Sequence, residues 1–85
     1  MQVKVKYFAL LREAVGCDEE IVEVAGDAPL VSDVRAACCA LDARHAEAFS
    51  RVRRIRAAVD GVMAPESAPV AGAAEVAFFP PVTGG

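Results

Sequence analysis

Both ends of this chain alternate with the two-residue period of a β-strand, and that pair of segments constrains the fold more than anything else in it. Between Met1 and Phe8, Val3, Val5 and Tyr7 fall on one side while Lys4, Lys6 and Phe8 fall on the other. Between Glu75 and Phe79, Val76 and Phe78 share one face and Ala77 and Phe79 share the opposite one. Pro80 forbids further pairing, because it has no N–H to give a ladder. With 85 residues the chain builds one domain and one modest core, so the first and last strands must serve the same core.

The intervening segments fill in an α+β order. Ala9 to Val15 carries Leu11 and Val15 four apart and stops at Gly16, a helix C′ signal. Glu20 to Val24 alternates again, with Ile21 and Glu23 on one face and Val22 and Val24 on the other, and is expected antiparallel beside the first strand. Ser32 is the expected N-cap of the main helix, whose stripe is Val34, Ala37, Cys38 and Leu41. Residues 42–54 are polar and arginine-rich, anchored by Phe49 and Val52. Ile55 to Val59 resumes strand, Asp60-Gly61 signals a turn, and Met63 begins a short return strand. This order suits a β-grasp (ubiquitin-like) roll: a mixed sheet of about five strands, one main helix on one face, and the first and last strands central and parallel. The domain is expected over residues 1–79, with an extended Gly-Gly tail over 80–85.

Composition excludes several classes of function. Hydrophobic residues make up 55% of the chain, which argues against disorder. The net charge of −3 argues against a nucleic-acid partner, despite Arg51, Arg53, Arg54 and Arg56. No apolar stretch nears the ~18 residues that cross a bilayer, and no signal-peptide pattern precedes the first strand, so neither membrane nor export is expected and the cytoplasm is. Cys17, Cys38 and Cys39 have no metal-ligand spacing, and Cys38 reads as a small buried hydrophobe. His45 is the only histidine; it is expected on a solvated segment, and neither a metal site nor a His-based triad can be assembled.

What remains is the terminus. Phe78-Phe79-Pro80-Pro81-Val82-Thr83-Gly84-Gly85 joins an aromatic pair, a stiff proline pair, small residues and two residues without side chains. Six residues from Pro80 at about 3.3 Å each reach roughly 20 Å, enough to enter another protein's active site. Gly84 and Gly85 can thread a channel too narrow for a Cβ. A carboxylate is a poor electrophile until it is activated. Adenylation by ATP in a partner would make a mixed anhydride, and sulfide would convert that to a nucleophilic thiocarboxylate. Phe8 and Phe79, on the outer face next to the tail, form a candidate docking patch that Met63 could join.

These residues resemble the small subunit of molybdopterin synthase, a sulfur-carrier family of molybdenum-cofactor biosynthesis. The likeness is strongest from Glu75 through Gly85. It is supported by Tyr7-Phe8-Ala9, by Leu11-Arg12-Glu13 and by the helix from Ser32 to Leu41. It implies a heterotetramer with the large catalytic subunit and no bound cofactor. It also implies a ubiquitin-activating-type adenylyltransferase that uses ATP, and a sulfur-donating enzyme. Gly85 would then deliver sulfur to a cyclic pyranopterin phosphate to build the dithiolene. By position the family implies partner contacts at Phe8, Met63 and Phe79 and along Pro80, Pro81, Val82 and Thr83. Where the family usually has Asp-Gly-Asp before the last strand, this chain has Gly72-Ala73-Ala74, which places the turn there in question. A carrier for thiazole or cysteine synthesis, a ubiquitin-like protein modifier and a non-reactive interaction module are the alternative readings.

Overall fold

The computed structural model describes residues 1–70, 72 and 75–81. These form β1 (Gln2–Tyr7), α1 (Ala9–Val15), β2 (Glu19–Glu23), α2 (Val31–Cys39), α3 (Ala43–Arg51), β3 (Arg56–Val59), β4 (Val62–Ala64) and β5 (Glu75–Phe79). The sheet order is β2-β1-β5-β3-β4. β1 and β5 are the central parallel pair, with Val5 opposite Val76 and Tyr7 opposite Phe78. The remaining pairings are antiparallel. This is the expected β-grasp arrangement, in which one inward face carries the core.

The alternation read from the sequence sets that face. Val3, Val5, Tyr7, Val76 and Phe78 are buried beneath the helices, together with Leu11, Val34 and Cys38. Phe49 meets Phe78 edge-on at 5.4 Å and Tyr7 at 6.2 Å, which locks α3 onto the two central strands. Gly16 has φ +97° and donates its N–H to Arg12 O, closing α1. A Cβ there would lie 2.8 Å from the Arg44 guanidinium, which crosses over it as Arg44 Nε donates to Ala14 O. Asp60 and Gly61 both have positive φ and link β3 to β4, as the two-residue turn of a tight hairpin requires.

The helical layer departs from expectation in three places. Residues 42–54, read only as polar and arginine-rich, contain α3, a helix as long as α2. Its cap is Asp42, whose Oδ1 accepts from His45 N at 2.8 Å. α2 starts one residue before Ser32. Its first-turn N–H groups are taken by the neighbouring loop, Val31 N donating to Ala68 O and Ser32 N to Glu66 O, so a hydroxyl cap is not needed. Leu41 lies beyond the end of α2 and is exposed, because the chain turns towards Asp42 before the stripe completes another turn.

Candidate functional site: the root of the tail

The C-terminal end of β5 is where the candidate residues meet. Phe8 follows β1 and donates its backbone N–H to Phe78 O at 3.2 Å, so it lies beside the exit of the last strand. Phe79 stands opposite Arg56 in the β3–β5 register. Ala77, Ala58 and Met63 make one cross-strand row on the outward face of the sheet. Phe8 is 45% exposed and Met63 51%, whereas Phe79, Pro80 and Pro81 are half-buried. The structure thus brings Phe8, Phe79 and Pro80 together at one end of the sheet, with Met63 on the same face two strands away. Val82, Thr83, Gly84 and Gly85 lie outside the described residues, as do Ala73 and Ala74 of the altered turn. Gly72, which is described, has φ +85°.

The backbone around this end takes uncommon conformations. Ala9 and Arg54 have φ of +54° and +56°, at the junctions leading from β1 into α1 and from α3 towards β3. Such angles cost a non-glycine residue of order 1 kcal/mol and persist where packing over-determines them. They bend the chain sharply on both sides of the β5 exit. An open groove of about 810 Å³ lies between α1 and α3 and reaches Pro80.

On the inward side of the sheet is a polar cluster that sequence reasoning missed. His45 is buried, not solvated. Its Nε2 lies 2.6 Å from Glu20 Oε2, and its Nδ1 lies 2.7 Å from Asp42 Oδ1. Tyr7 Oη donates to the same Glu20 oxygen at 2.8 Å. Burial alone would lower the His45 pKa, but the hydrogen bonds that its ring donates to the Asp42 and Glu20 carboxylates outweigh it and the pKa is raised. The backbone N–H of His45 and then its ring hold the Asp42 carboxyl below its ordinary value. Glu20 faces inward because it pairs with Val5 in the β1–β2 register, and that was the available signal. Arg35 was missed too: it bonds Glu66 and Ile55 O, and its guanidinium lies 5.5 Å from the Phe78 ring centroid.

The thiols offer no competing chemistry. Burial pushes the Cys38 thiol up to about 11, and burial likewise raises Cys17 and Cys39. All three are therefore protonated at neutral pH and are poor nucleophiles. Among the described residues, no three His, Cys, Asp or Glu side chains are grouped to hold a metal ion. No described helix is long and apolar enough to cross a membrane.

Residues 5–85 match the ThiS family. This chain belongs to that family. The molybdopterin synthase sulfur carrier subunit of Escherichia coli K12 is 42% identical over 83 residues, covering 98% of this chain and 99% of that one. Among solved structures, the small archaeal modifier protein 1 of Haloferax volcanii superposes with a TM-score of 0.73. It is 33% identical, over 95% of this chain and 98% of the other. A Pyrococcus furiosus protein provisionally assigned as molybdopterin converting factor subunit 1 gives a TM-score of 0.76 at 28% identity. That match covers 96% of this chain and 99% of its counterpart. The ThiS match runs through Gly85, so the matched residues include Gly84 and Gly85.

Proposed function

We propose that this chain is the sulfur carrier subunit of a molybdopterin synthase and works through the carboxylate of Gly85. The single observation that carries this reading is the near full-length identity to the E. coli sulfur carrier subunit, on a fold whose central strand β5 leads straight into the tail. A strand held by ladders on both sides is a rigid mount, so docking the domain positions the tail. Residues 1–79 are the scaffold and 80–85 the working arm.

In this reading a ubiquitin-activating-type enzyme transfers AMP from ATP to the Gly85 carboxylate and releases pyrophosphate. A sulfur-donating enzyme supplies a sulfide equivalent, which displaces AMP and leaves a thiocarboxylate. In the large catalytic subunit this sulfur attacks a side-chain carbon of the cyclic pyranopterin phosphate, and the carbon–oxygen bond at that carbon breaks, its oxygen leaving as water or staying on the phosphate that it belonged to. Water then cleaves the Gly85 thioester, returning the carboxylate and leaving sulfur on the acceptor. Two rounds build the dithiolene. Phe8, Met63 and Phe79 dock the domain. Pro80 and Pro81 keep the arm extended, Val82 and Thr83 contact the partner along its channel, and Gly84 and Gly85 let both partners close around the reacting carbon and exclude water.

The test is single-turnover transfer: the thiocarboxylated chain is mixed with its cognate large subunit and the pterin precursor. Dithiolene product and a regenerated carboxylate are expected. A large subunit that binds the chain but takes no sulfur from it would refute the assignment. The likeness to the Haloferax modifier protein supports a second reading, in which Gly85 is joined to lysines of target proteins. Conjugates carrying a Gly85–lysine isopeptide in cell extracts would establish it.

A further inference from the structure

His45 is held by two carboxylates at once, and this fixes how many protons the cluster must carry. Its Nε2 lies 2.6 Å from Glu20 Oε2 on the edge strand β2, and its Nδ1 lies 2.7 Å from Asp42 Oδ1 at the start of α3. Each contact needs a proton between its two atoms, and a neutral imidazole carries one N–H. The cluster therefore closes only with one proton more than a neutral ring and two carboxylates hold. Among the described residues, the other groups around the ring do not titrate near neutral pH. Tyr7 from β1 meets the ring edge-on at 6.2 Å and gives its own O–H to Glu20. Cys38 from α2 is hydrogen-bonded to Tyr7, and Cys17, in the link from α1 to β2, to Glu20. Burial pushes all three above their ordinary values, so they stay neutral. Beside Cys17, Asp18 is exposed and the Arg44 guanidinium lies over Gly16, donating to Ala14 O.

We propose that Glu20, His45 and Asp42 form a proton-operated latch, which ties the first turn of α3 to β2 when closed and lets that turn open when the proton leaves. The two contacts are unequal, and that decides which one gives way. The Glu20 side chain is 26% exposed and is also pinned by Tyr7, so a neutral ring keeps its one N–H on Nε2, facing Glu20. Asp42 is 57% exposed and can turn to water. Loss of the proton sets the Nδ1 lone pair against the Asp42 carboxylate, and that side chain swings away. Asp42 is also the cap of α3: the oxygen that meets the ring accepts from His45 N at 2.8 Å. Opening this contact therefore uncaps the helix and frees N–H groups of its first turn. Phe49 stays packed on Tyr7 and Phe78, so the opening is local and the rest of α3 remains docked. In acid the latch opens from its other side, once the Asp42 carboxyl, held below its ordinary value, takes up a proton. It is closed in the window between that value and the raised His45 value.

His45 is the only histidine in the chain, so its ring nitrogen resonances report the latch without ambiguity. The test is an NMR titration of the full chain, with amide hydrogen exchange measured at each pH. Below the ring's titration both ring nitrogens carry protons and the His45 amide is protected. Above it the neutral ring is the Nε2–H tautomer, and the protection factor of the His45 amide falls at least about tenfold, while those of Val34 and Cys38 in α2 do not change. The Asp42→Asn variant keeps a capping oxygen but loses the second carboxylate. Its ring titrates at lower pH, and the protection of its His45 amide shows no step there. A neutral wild-type ring found as the Nδ1–H tautomer overturns the inference, and so does equal protection at His45 on both sides of the titration. Equal loss of protection in α2 overturns it too, because the whole domain would then be opening. Should Asp42→Asn fail to fold, the wild-type tautomer and exchange pattern decide the matter alone.

Discussion

The inward face of the sheet and the end of β5 are built on opposite terms. Beneath the helices nearly every side chain has a partner: Phe49 against Phe78 and Tyr7, His45 clamped between Glu20 and Asp42. At the β5 end Phe8 is exposed, Arg53 and Arg56 lack described partners, and the backbone turns through positive φ at Ala9 and Arg54. Stability is concentrated in the first region, and in the proposed function the second is the one that a partner completes. Loss of folding and loss of function should therefore be separable by position.

The sharpest separation comes at the arm. Removing Gly84 and Gly85 abolishes sulfur transfer, while the thermal midpoint stays within about 2 °C of wild type, since the buried core of the described residues runs from Val3 to Phe78. A large drop in that midpoint would mean that the arm supports the fold. The converse is Phe78→Ala, which truncates a fully buried ring at the centre of the aromatic cluster. It costs about 3–5 kcal/mol by denaturant unfolding. A cost below 1 kcal/mol would show that the inward face is not where stability resides.

His45→Ala comes next, at about 2 kcal/mol near pH 6, because it leaves the half-buried Glu20 carboxylate without its imidazole partner. Its sign with pH is fixed by the two shifts. The raised His45 pKa contributes stability that is full below its unfolded value near 6.5 and is lost as pH rises through the folded value. The lowered Asp42 pKa contributes above its unfolded value and is lost as pH falls through the folded one. Wild-type stability therefore declines as pH rises from about 6.5 through the folded His45 value, and His45→Ala flattens that limb. A wild-type curve already flat there would mean that the imidazole is not held protonated.

Phe79→Ala weakens large-subunit binding by about 2 kcal/mol, or roughly thirtyfold, as loss of an anchoring ring does. Calorimetry showing unchanged affinity would take Phe79 out of the interface. Met63→Ala changes stability by less than about 0.5 kcal/mol, being exposed, yet weakens binding measurably. A stability loss exceeding the binding loss would erase the distinction between the two regions.

The strands were legible in the sequence because a half-buried strand carries its own two-residue period. Val3-Val5-Tyr7 and Val76-Phe78 face inward as that period requires. From them followed the central parallel pair and the position of Phe8 beside Phe79. α3 was not legible, because its face towards the core uses a histidine, an alanine and one phenylalanine where an aliphatic stripe would be expected. His45 looked solvated for the same reason: its burial depends on Glu20, twenty-five residues earlier and on another element, and no local pattern encodes that distance. The start of α2 was misplaced because its cap is tertiary, supplied by Glu66 and Ala68 carbonyls where a Ser32 hydroxyl was expected. The groove at Pro80 was illegible too, since it exists only once α1 packs against α3.

Mass spectrometry of the intact chain after incubation with its activating enzyme, ATP and a sulfur donor probes the working end most directly. The predicted product is heavier by one oxygen-to-sulfur exchange, and fragmentation places that exchange on the C-terminal peptide at Gly85. An unchanged mass, or sulfur found on Cys17, Cys38 or Cys39 instead, would contradict it.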